Sequence, residues 1–415
     1  MPTFKPFRGV RPHNDFVDVF PTLPIENFSQ EEINKKAAED SSYIQMIKPY
    51  VCSKSKDVDR NLRKVRTNYE EMLAENKLVQ DSSSYYLYEQ ILPNKTIFRG
   101  LLGLISIEDF VNGKIKRHET ALKNKYEKFT HYLEKVHLHA EPLLLTYQSS
   151  PKVELLMSHE EKNVPIINYA DERGIRHKVW RIDNRLKLQQ FKEVLDQIET
   201  FYLADGNHRI DSSAKYAQKL KEKNKRHNGN EPYNFVLSYL VSNQSIKIHD
   251  YNRLVKDLNG LSEEEFLAKI SENFLIHEKK EKAYYPSQKY HISMYMGGKF
   301  YSLHVKHELR NQDMGLDSVD HHLLFKYILS PILGIENDKE ENERLSFIKG
   351  SSDVEGILKI KEKVDSEEFT VGFGLHPVGF NDITKLTSQN LQMPPKCTYI
   401  EPKLVTALLM YDMDW

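Results

Sequence analysis

Asp205, Gly206, Asn207, His208 and Arg209 stand together in the stretch YLADGNHRIDSSAKYAQ (202–218), between a short apolar run and a pattern of helical period. Ile210, Ala214 and Ala217 keep spacings of three and four, so a helix is expected to begin at this motif. The first turn of a helix leaves unpaired N–H groups and a partial positive charge, which together suit a phosphate. Gly206 would let a ligand come close to the backbone. His208 and Arg209 would add charge-assisted donors, the guanidinium fork being matched to phosphate oxygens. Asp205 would repel an anion unless it holds a metal ion or orients an attacking group, and that requirement points to phosphoryl chemistry. A plainer reading of the same residues is an Asp-Gly turn, a capped helix and an exposed His and Arg. Composition leaves both readings open.

Other groupings carry less. HLHAE (137–141) with His131 nearby, and Asp320 with His321 and His322, have histidines and acids in number but no ligand geometry, since adjacent histidines on a helix point different ways. Lys396 and Lys403 could reach an anionic ligand or simply flank a Pro-bounded strand. KLKEKNKRHNG (219–229) reads as a solvated lysine-rich helix end that runs into an Asn-Gly loop.

The elements that must hold these residues follow from periodicity. FSQEEINKKAAED places Ser29 three residues before Glu32, the spacing of a capping box, so a helix starts there. In DVDRNLRKVRTNYEEMLAENKLV, Leu62, Val65, Tyr69, Met72 and Leu73 fall at helical spacings on one face. The pattern then changes to strands: YYLYEQIL and TIFRGLLGLISI, joined through Pro93 and Asn94, read as a β-hairpin. GIRHKVWRID is a further strand, Leu188, Phe191, Leu195 and Ile198 mark a helix, and FYLA returns to strand just before the motif. The fold class is mixed α/β (α+β).

At 415 residues the chain is long enough for two or three domains, and 39% hydrophobic residues with 23 Tyr and 19 Phe supply ample core. Cys52 and Cys397 are the two cysteines, without CxxC or Cys/His ligand spacing, which suggests a reducing, cytoplasmic setting and no structural zinc. The start MPTFKPFRGVRPHNDF has no apolar signal core and no run is long enough to span a bilayer, so no membrane is expected. Fifty-nine Lys and Arg against 60 Asp and Glu give a net charge of -1. A nucleic-acid partner normally demands a basic excess, so none is expected, and a nuclease or DNA-binding role is disfavoured.

The motif ADGNHR, together with IKRHET (115–120) and MPPKCTYIEPKL (393–404), resembles the family called domain of unknown function 1015. FKPFRGVRP, LDSVDHHLLFKYILSPILGI and FGLHPVGF resemble family segments in the same order, so the likeness covers nearly the whole chain. The ADG(x)HR core in turn resembles the ParB-like fold shared by ParB, sulfiredoxin and the free serine kinases, where a helix start of Gly-x-x-Arg type binds nucleotide phosphates. This resemblance implies a ParB-like nucleotide-binding core at 85–241, preceded by a helical and extended segment at 1–84 and followed by an α+β region at 242–415. It implies ATP or ADP with Mg2+ as cofactors, and a small hydroxyl metabolite such as serine as substrate. On the likeness to free serine kinases, Glu119 is the base on the substrate hydroxyl and Asp205 is its partner or a Mg2+ ligand. His208 joins these two in catalysis, while Gly206, Asn207, Arg209, Lys116, His118 and Lys396 hold the nucleotide. For Lys116, Arg117, His118 and Glu119 the plain alternative is a polar strand end.

Several positions depart from the family. Asn207 stands where most members have His, and Asn252 in YNRLV likewise replaces a His. If both line one pocket, titratable groups are exchanged for hydrogen-bonding ones, which implies either a different substrate or an inactive branch. Glu26 in LPIEN keeps a carboxylate where the family has Asp, and Cys397 replaces a common Ser as a near-isosteric packing change. The leading expectation is a nucleotide-dependent phosphotransferase, and the alternative is a nucleotide-binding regulatory protein without turnover.

Overall fold

The branched and aromatic runs at Tyr85–Ile91 and Ile97–Ser106 pair antiparallel, from Tyr86 opposite Leu102 to Ile91 opposite Ile97. Leu92 N–H closes the turn on the Thr96 carbonyl at 2.9 Å. This expected hairpin is the centre of a nine-stranded mixed sheet. The computed structural model describes residues 1–119, 126–310, 315–337, 342–394 and 396–414. The chain divides into two units: Met1–Lys116, Leu122–Ile246 and Pro402–Trp415 form the first, and Arg117–Ala121 with Lys247–Glu401 the second. The fold is mixed α/β.

In the first unit, the strand Phe235–Ser242 pairs antiparallel with Ile97–Ser106 on one side and parallel with Leu143–Tyr147 on the other. A parallel pair needs a long crossover, and the intervening chain supplies it with the helices Pro151–Glu160, Arg185–Leu195 and Asn207–Lys223. Phe201–Asp205 adds to Leu143–Tyr147 antiparallel, with an irregularity between Leu203 and Asp205 that breaks the register at the strand end. Leu87, Leu101, Leu145, Leu203 and Leu240 share one core with Ile210 from the helix after the motif. That helix is therefore anchored at its first turn by a fully buried side chain.

The helical segments follow their periodicity. Ser29 Oγ accepts from Glu32 N–H at 3.3 Å while Glu32 accepts from Ser29 N–H at 2.7 Å, completing the capping box. In the helix Val58–Ala74, Leu62, Val65, Tyr69 and Met72 are buried, whereas Leu73 is half-buried because one residue turns it about 100° from Met72. In Arg185–Leu195, capped by Asn184, Phe191 and Leu195 are buried, and Ile198 reaches the same core from the turn beyond. A second sheet of four short strands has the order Leu78–Gln80, Gly9–Pro12, Met410–Asp412, Leu138–His139, all antiparallel. Its third strand returns the C-terminal segment to the first unit, and Lys403 and Thr406 come with it.

The second unit is built on a six-stranded antiparallel sheet in the order Phe274–Lys280, Lys299–Val305, His291–Met296, Val371–Gly374, Tyr251–Val255, Leu345–Lys349. Alternation decides its faces: Ile292, Met294 and Leu303 join the core formed with Phe266 and Leu324, while Tyr295 and Phe300 meet the helix Val354–Asp365 through Ile357 and Ile360. Of FGLHPVGF only the beginning is strand, which ends at Gly374; a helix starts at Phe380. No described helix is long and apolar enough to cross a membrane.

Candidate functional site

The strand Phe201–Asp205 ends on an acid, and the chain turns into the 207–223 helix through Gly206 at φ 101°, ψ 26°. This left-handed conformation is open to glycine and costly for residues with a Cβ. Space imposes the same choice: a Cβ on Gly206 would lie 2.6 Å from Leu143 Cδ2 and 3.1 Å from Arg209 Nε. Arg209 thus folds back over the glycine. No side chain caps this helix, although it runs for 17 residues, and its first turn carries no acid.

Two carboxylate–cation pairs flank the turn. Asp205 Oδ1 accepts from Gly206 N–H at 2.7 Å, and Oδ2 accepts from Lys403 Nζ at 2.8 Å. Burial acts to raise the Asp205 pKa, but the Lys403 ammonium and the Arg209 guanidinium outweigh it and hold the carboxyl low, at about 2. Arg209 Nη1 donates to Glu141 Oε2 at 2.8 Å, and Glu141 Oε1 accepts from Thr406 Oγ1 at 2.9 Å. Both side chains of the Arg209–Glu141 pair keep about a quarter of their surface exposed, at 22% and 27%. Buried His139 is held neutral, down to about 3, by burial first and by Arg209 second. The four charged groups sum to zero. An arriving anion would meet two cations that can exchange a carboxylate for it, beside the N–H groups of a helix start.

Of the other residues singled out in the motif, Asn207 and His208 occupy the first turn, half-buried. Asn207 Oδ1 is buried without a hydrogen bond among the described residues. The His208 carbonyl accepts from Ser212 Oγ at 2.7 Å. Lys116 lies in the same unit, on the edge strand Ile115–Arg117.

His118, Glu119 and Lys396 belong to the second unit. There the Met393 N–H donates to the His118 carbonyl at 2.8 Å, and Glu119 bridges to Met393. Glu119 Oε1 accepts from Thr398 N–H at 2.8 Å and from Thr398 Oγ1 at 2.6 Å, while Oε2 makes no hydrogen bond among the described residues. Thr398 therefore holds one oxygen of this carboxylate. The His118 imidazole meets Thr398 Oγ1 at 2.9 Å. Lys396 sets its ammonium 5.4 Å from the centre of the Tyr251 ring, and its carbonyl accepts from Arg253 Nη1 at 3.1 Å. Asn252 is wholly buried, its Oδ1 accepting from Leu375 N–H at 3.0 Å, and Cys397 is buried too.

Sequence spacing marks neither Glu141 as the partner of Arg209 nor Thr406 as the partner of Glu141. Glu141 sits in HLHAE, and among the described residues no three His, Cys, Asp or Glu side chains are grouped to hold an ion. Thr406 lies 265 positions from Glu141, beyond any local signal.

Among solved structures the chain is similar to a mutant free serine kinase in complex with ADP, at 13% identity over 74% of this chain and 91% of that one, with a TM-score of 0.34. It is also similar to SbnI with C-terminal truncation from Staphylococcus aureus, at 12% identity over 74% and 87%, with a TM-score of 0.37. A conserved hypothetical protein from Pyrococcus furiosus shares 12% identity over 74% and 94%, with a TM-score of 0.32. No curated protein matches the chain. The family described as Protein of unknown function (DUF1015) matches residues 4–322, well over half of the chain, and the chain therefore belongs to that family.

Proposed function

We propose that the protein is a nucleotide-dependent phosphotransferase that acts on a small hydroxyl compound, with serine the first substrate to test. The observation that carries this reading is the uncapped start of the 207–223 helix, where a left-handed glycine clears the backbone and Arg209 folds over it. Those features suit the phosphates of ATP or ADP, with Gly206, Asn207 and Arg209 as the contacts and Lys116, His118 and Lys396 as further nucleotide-binding groups. In this reading Glu119 takes the hydroxyl proton as the hydroxyl oxygen bonds to the terminal phosphorus, the bond from that phosphorus to the bridging oxygen breaks, and ADP (from ATP) or AMP (from ADP) leaves, with His208 assisting. Asp205 is the carboxylate available to Mg2+. Its oxygens are already held by Gly206 N–H and Lys403, and two cations crowd it, so the residues present do not fit a metal ion there.

One observation favours a second reading, a regulatory protein that binds nucleotide without turnover: Arg209 is neutralised by Glu141 and Asp205 by Lys403, an arrangement able to switch partners without chemistry. Phosphorus NMR of ATP and ADP with serine and a panel of hydroxylated metabolites separates the two. Arg209→Ala should weaken nucleotide binding in calorimetry by about 1.5–3 kcal/mol, or roughly tenfold to 150-fold. Glu119→Gln should leave that affinity in place and lower turnover by about 10²–10⁴. Full activity in Glu119→Gln would reject it as the base. Tight binding with no product across the panel would select the regulatory reading.

A further inference from the structure

Ser352, His249 and Glu401 form one hydrogen-bonded chain within the second unit. The Ser352 hydroxyl meets His249 Nδ1 at 2.9 Å, and His249 Nε2 meets Glu401 Oε2 at 3.0 Å. Strand register sets the second contact. Lys247–His249 pairs antiparallel with Tyr399–Glu401, His249 opposite Tyr399 and Lys247 opposite Glu401, so His249 and Glu401 lie diagonally on one face. A carboxylate only accepts, so in the neutral ring Nε2 carries the proton and Nδ1 turns its lone pair to the serine.

The backbone under Ser352 is the second observation. The strand Leu345–Lys349 runs into the helix Val354–Asp365 through four residues, Gly350 to Asp353, and Ser352 sits among them at φ 60°. A left-handed backbone is costly for a residue with a Cβ and persists only where its surroundings fix it. Buried Asp250 does so here: its Oδ1 accepts from Ser352 N–H at 3.0 Å and its carbonyl from Gly350 N–H at 2.9 Å. A strained serine on a sharp strand-to-helix turn is the arrangement that presents a nucleophile beside a helix start.

We propose that Ser352 is a nucleophile, His249 its general base and Glu401 the residue that positions His249, in a site that hydrolyses small carboxylic esters. Ser352 Oγ bonds to the ester carbonyl carbon as its proton passes to His249 Nδ1, and the alcohol leaves with that proton. Water then attacks the acyl-serine, again through His249, and the carboxylic acid departs as Ser352 regains its proton. Glu401 keeps the Nε2 proton and the ring orientation throughout. The N–H of Asp353, next after the nucleophile, makes no hydrogen bond among the described residues and is the donor for the tetrahedral oxyanion. The Asp353 carboxylate is turned to the following N–H groups, Glu355 at 3.0 Å and Gly356 at 3.3 Å. Tyr285 also hydrogen-bonds Ser352; burial first and the Asp250 charge second push its pKa up, so it keeps its proton and leaves the serine proton for His249. Ser352 and His249 are half-buried and the Tyr399 ring centre is 5.9 Å from that of His249, an open, partly aromatic surface that suits a short acyl chain.

Diisopropyl fluorophosphate, which yields fluoride to an activated serine, tests the proposal on the full chain, with para-nitrophenyl acetate as the turnover probe. The expected result is one equivalent of label, mapped to Ser352 by peptide mass, and loss of ester hydrolysis in step with labelling. Ser352→Ala and His249→Gln should lower kcat by about 10²-fold or more. Glu401→Gln should lower kcat by about tenfold or more with KM and the denaturation midpoint unchanged, which a purely structural role would not produce. Ser351→Ala, at the neighbouring hydroxyl, should label and turn over as the parent does. The idea is overturned if Ser352 takes no label, if the label falls on another residue, or if Ser352→Ala hydrolyses the ester as fast as the parent. Unchanged kcat in Glu401→Gln would reject its positioning role. Should a variant fail to fold, the labelled position in the parent decides.

Discussion

Lys403 and Arg209 hold the Asp205 carboxyl at about 2, against burial that would raise it. A carboxyl whose pKa is depressed on folding contributes stability that is present above its unfolded value, near 4, and is lost as pH falls through the folded value. Lys403→Met removes the larger of the two attractions, and carbon-detected NMR titration should show the Asp205 midpoint moving from about 2 toward about 4. Asp205→Asn should correspondingly flatten part of the acid limb of stability between those pH values. The side chain is 42% exposed, so solvent screens the pair and the stability change will be modest even though the titration shift is clear. An unmoved midpoint in Lys403→Met would mean that Lys403 does not govern this carboxylate. Gly206 and Arg209 were legible as a helix start because glycine, an arginine three residues on and a helical period are local signals. The Lys403 and Glu141 partners were not, because nothing local in the sequence says which charges fold back onto the turn.

At the scale of elements, two glycines let a helix lie directly on a strand. A Cβ on Gly372 would fall 2.1 Å from Ile360 Cγ2, and one on Gly374 would fall 2.2 Å from Ile357 Cδ1. Both isoleucines lie on the Val354–Asp365 helix, so the strand Val371–Gly374 and this helix need each other's shape. Gly374→Ala should destabilise the protein by about 1–3 kcal/mol in chemical denaturation, as overpacking of a closed core does. Ile357→Val deletes the methyl group that Gly374→Ala would meet, so the double variant should lose less than the sum of the two single losses. Strict additivity would show that the clash is relieved in another way. The FGLHPVGF segment is noticed in sequence, yet its contact with the helix is not: glycine in a strand is an ambiguous sign until the neighbour is known.

For the molecule as a whole, the most telling feature is that both ends of the chain are used in the first unit. Asp412, fully buried on the C-terminal strand, accepts from Arg66 Nη1 at 3.0 Å and from Tyr69 Oη at 2.9 Å. Asp412→Ala removes the acceptor of Tyr69 Oη and of one Arg66 bond, while Arg66 keeps Glu70 and the Val136 carbonyl, and should cost about 1–3 kcal/mol, the usual penalty for a buried donor left without its acceptor. Denaturant midpoints compared with those of Asp414→Ala, whose own side chain is 43% exposed, would separate this loss from a general effect of removing an acid from the C-terminal segment. Equal, small shifts in the two variants would remove Asp412 from the list of structural anchors.

The sequence by itself determined the local grammar: the capping box at Ser29 and Glu32, the apolar stripe of the 58–74 helix, the 85–106 hairpin, and a strand that hands over to a helix at Asp205 and Gly206. Each of these depends on interactions within a few residues or on a repeating period, which one dimension records. Only the tertiary structure decided that Lys403 and Thr406 join the motif through a C-terminal strand set between Gly9–Pro12 and Leu138–His139. It alone brought Ser352 to His249 and gave Asn252 a buried structural bond. Strand order and register set such meetings, and both are decided by the packing of the whole core, which leaves no mark at any single position.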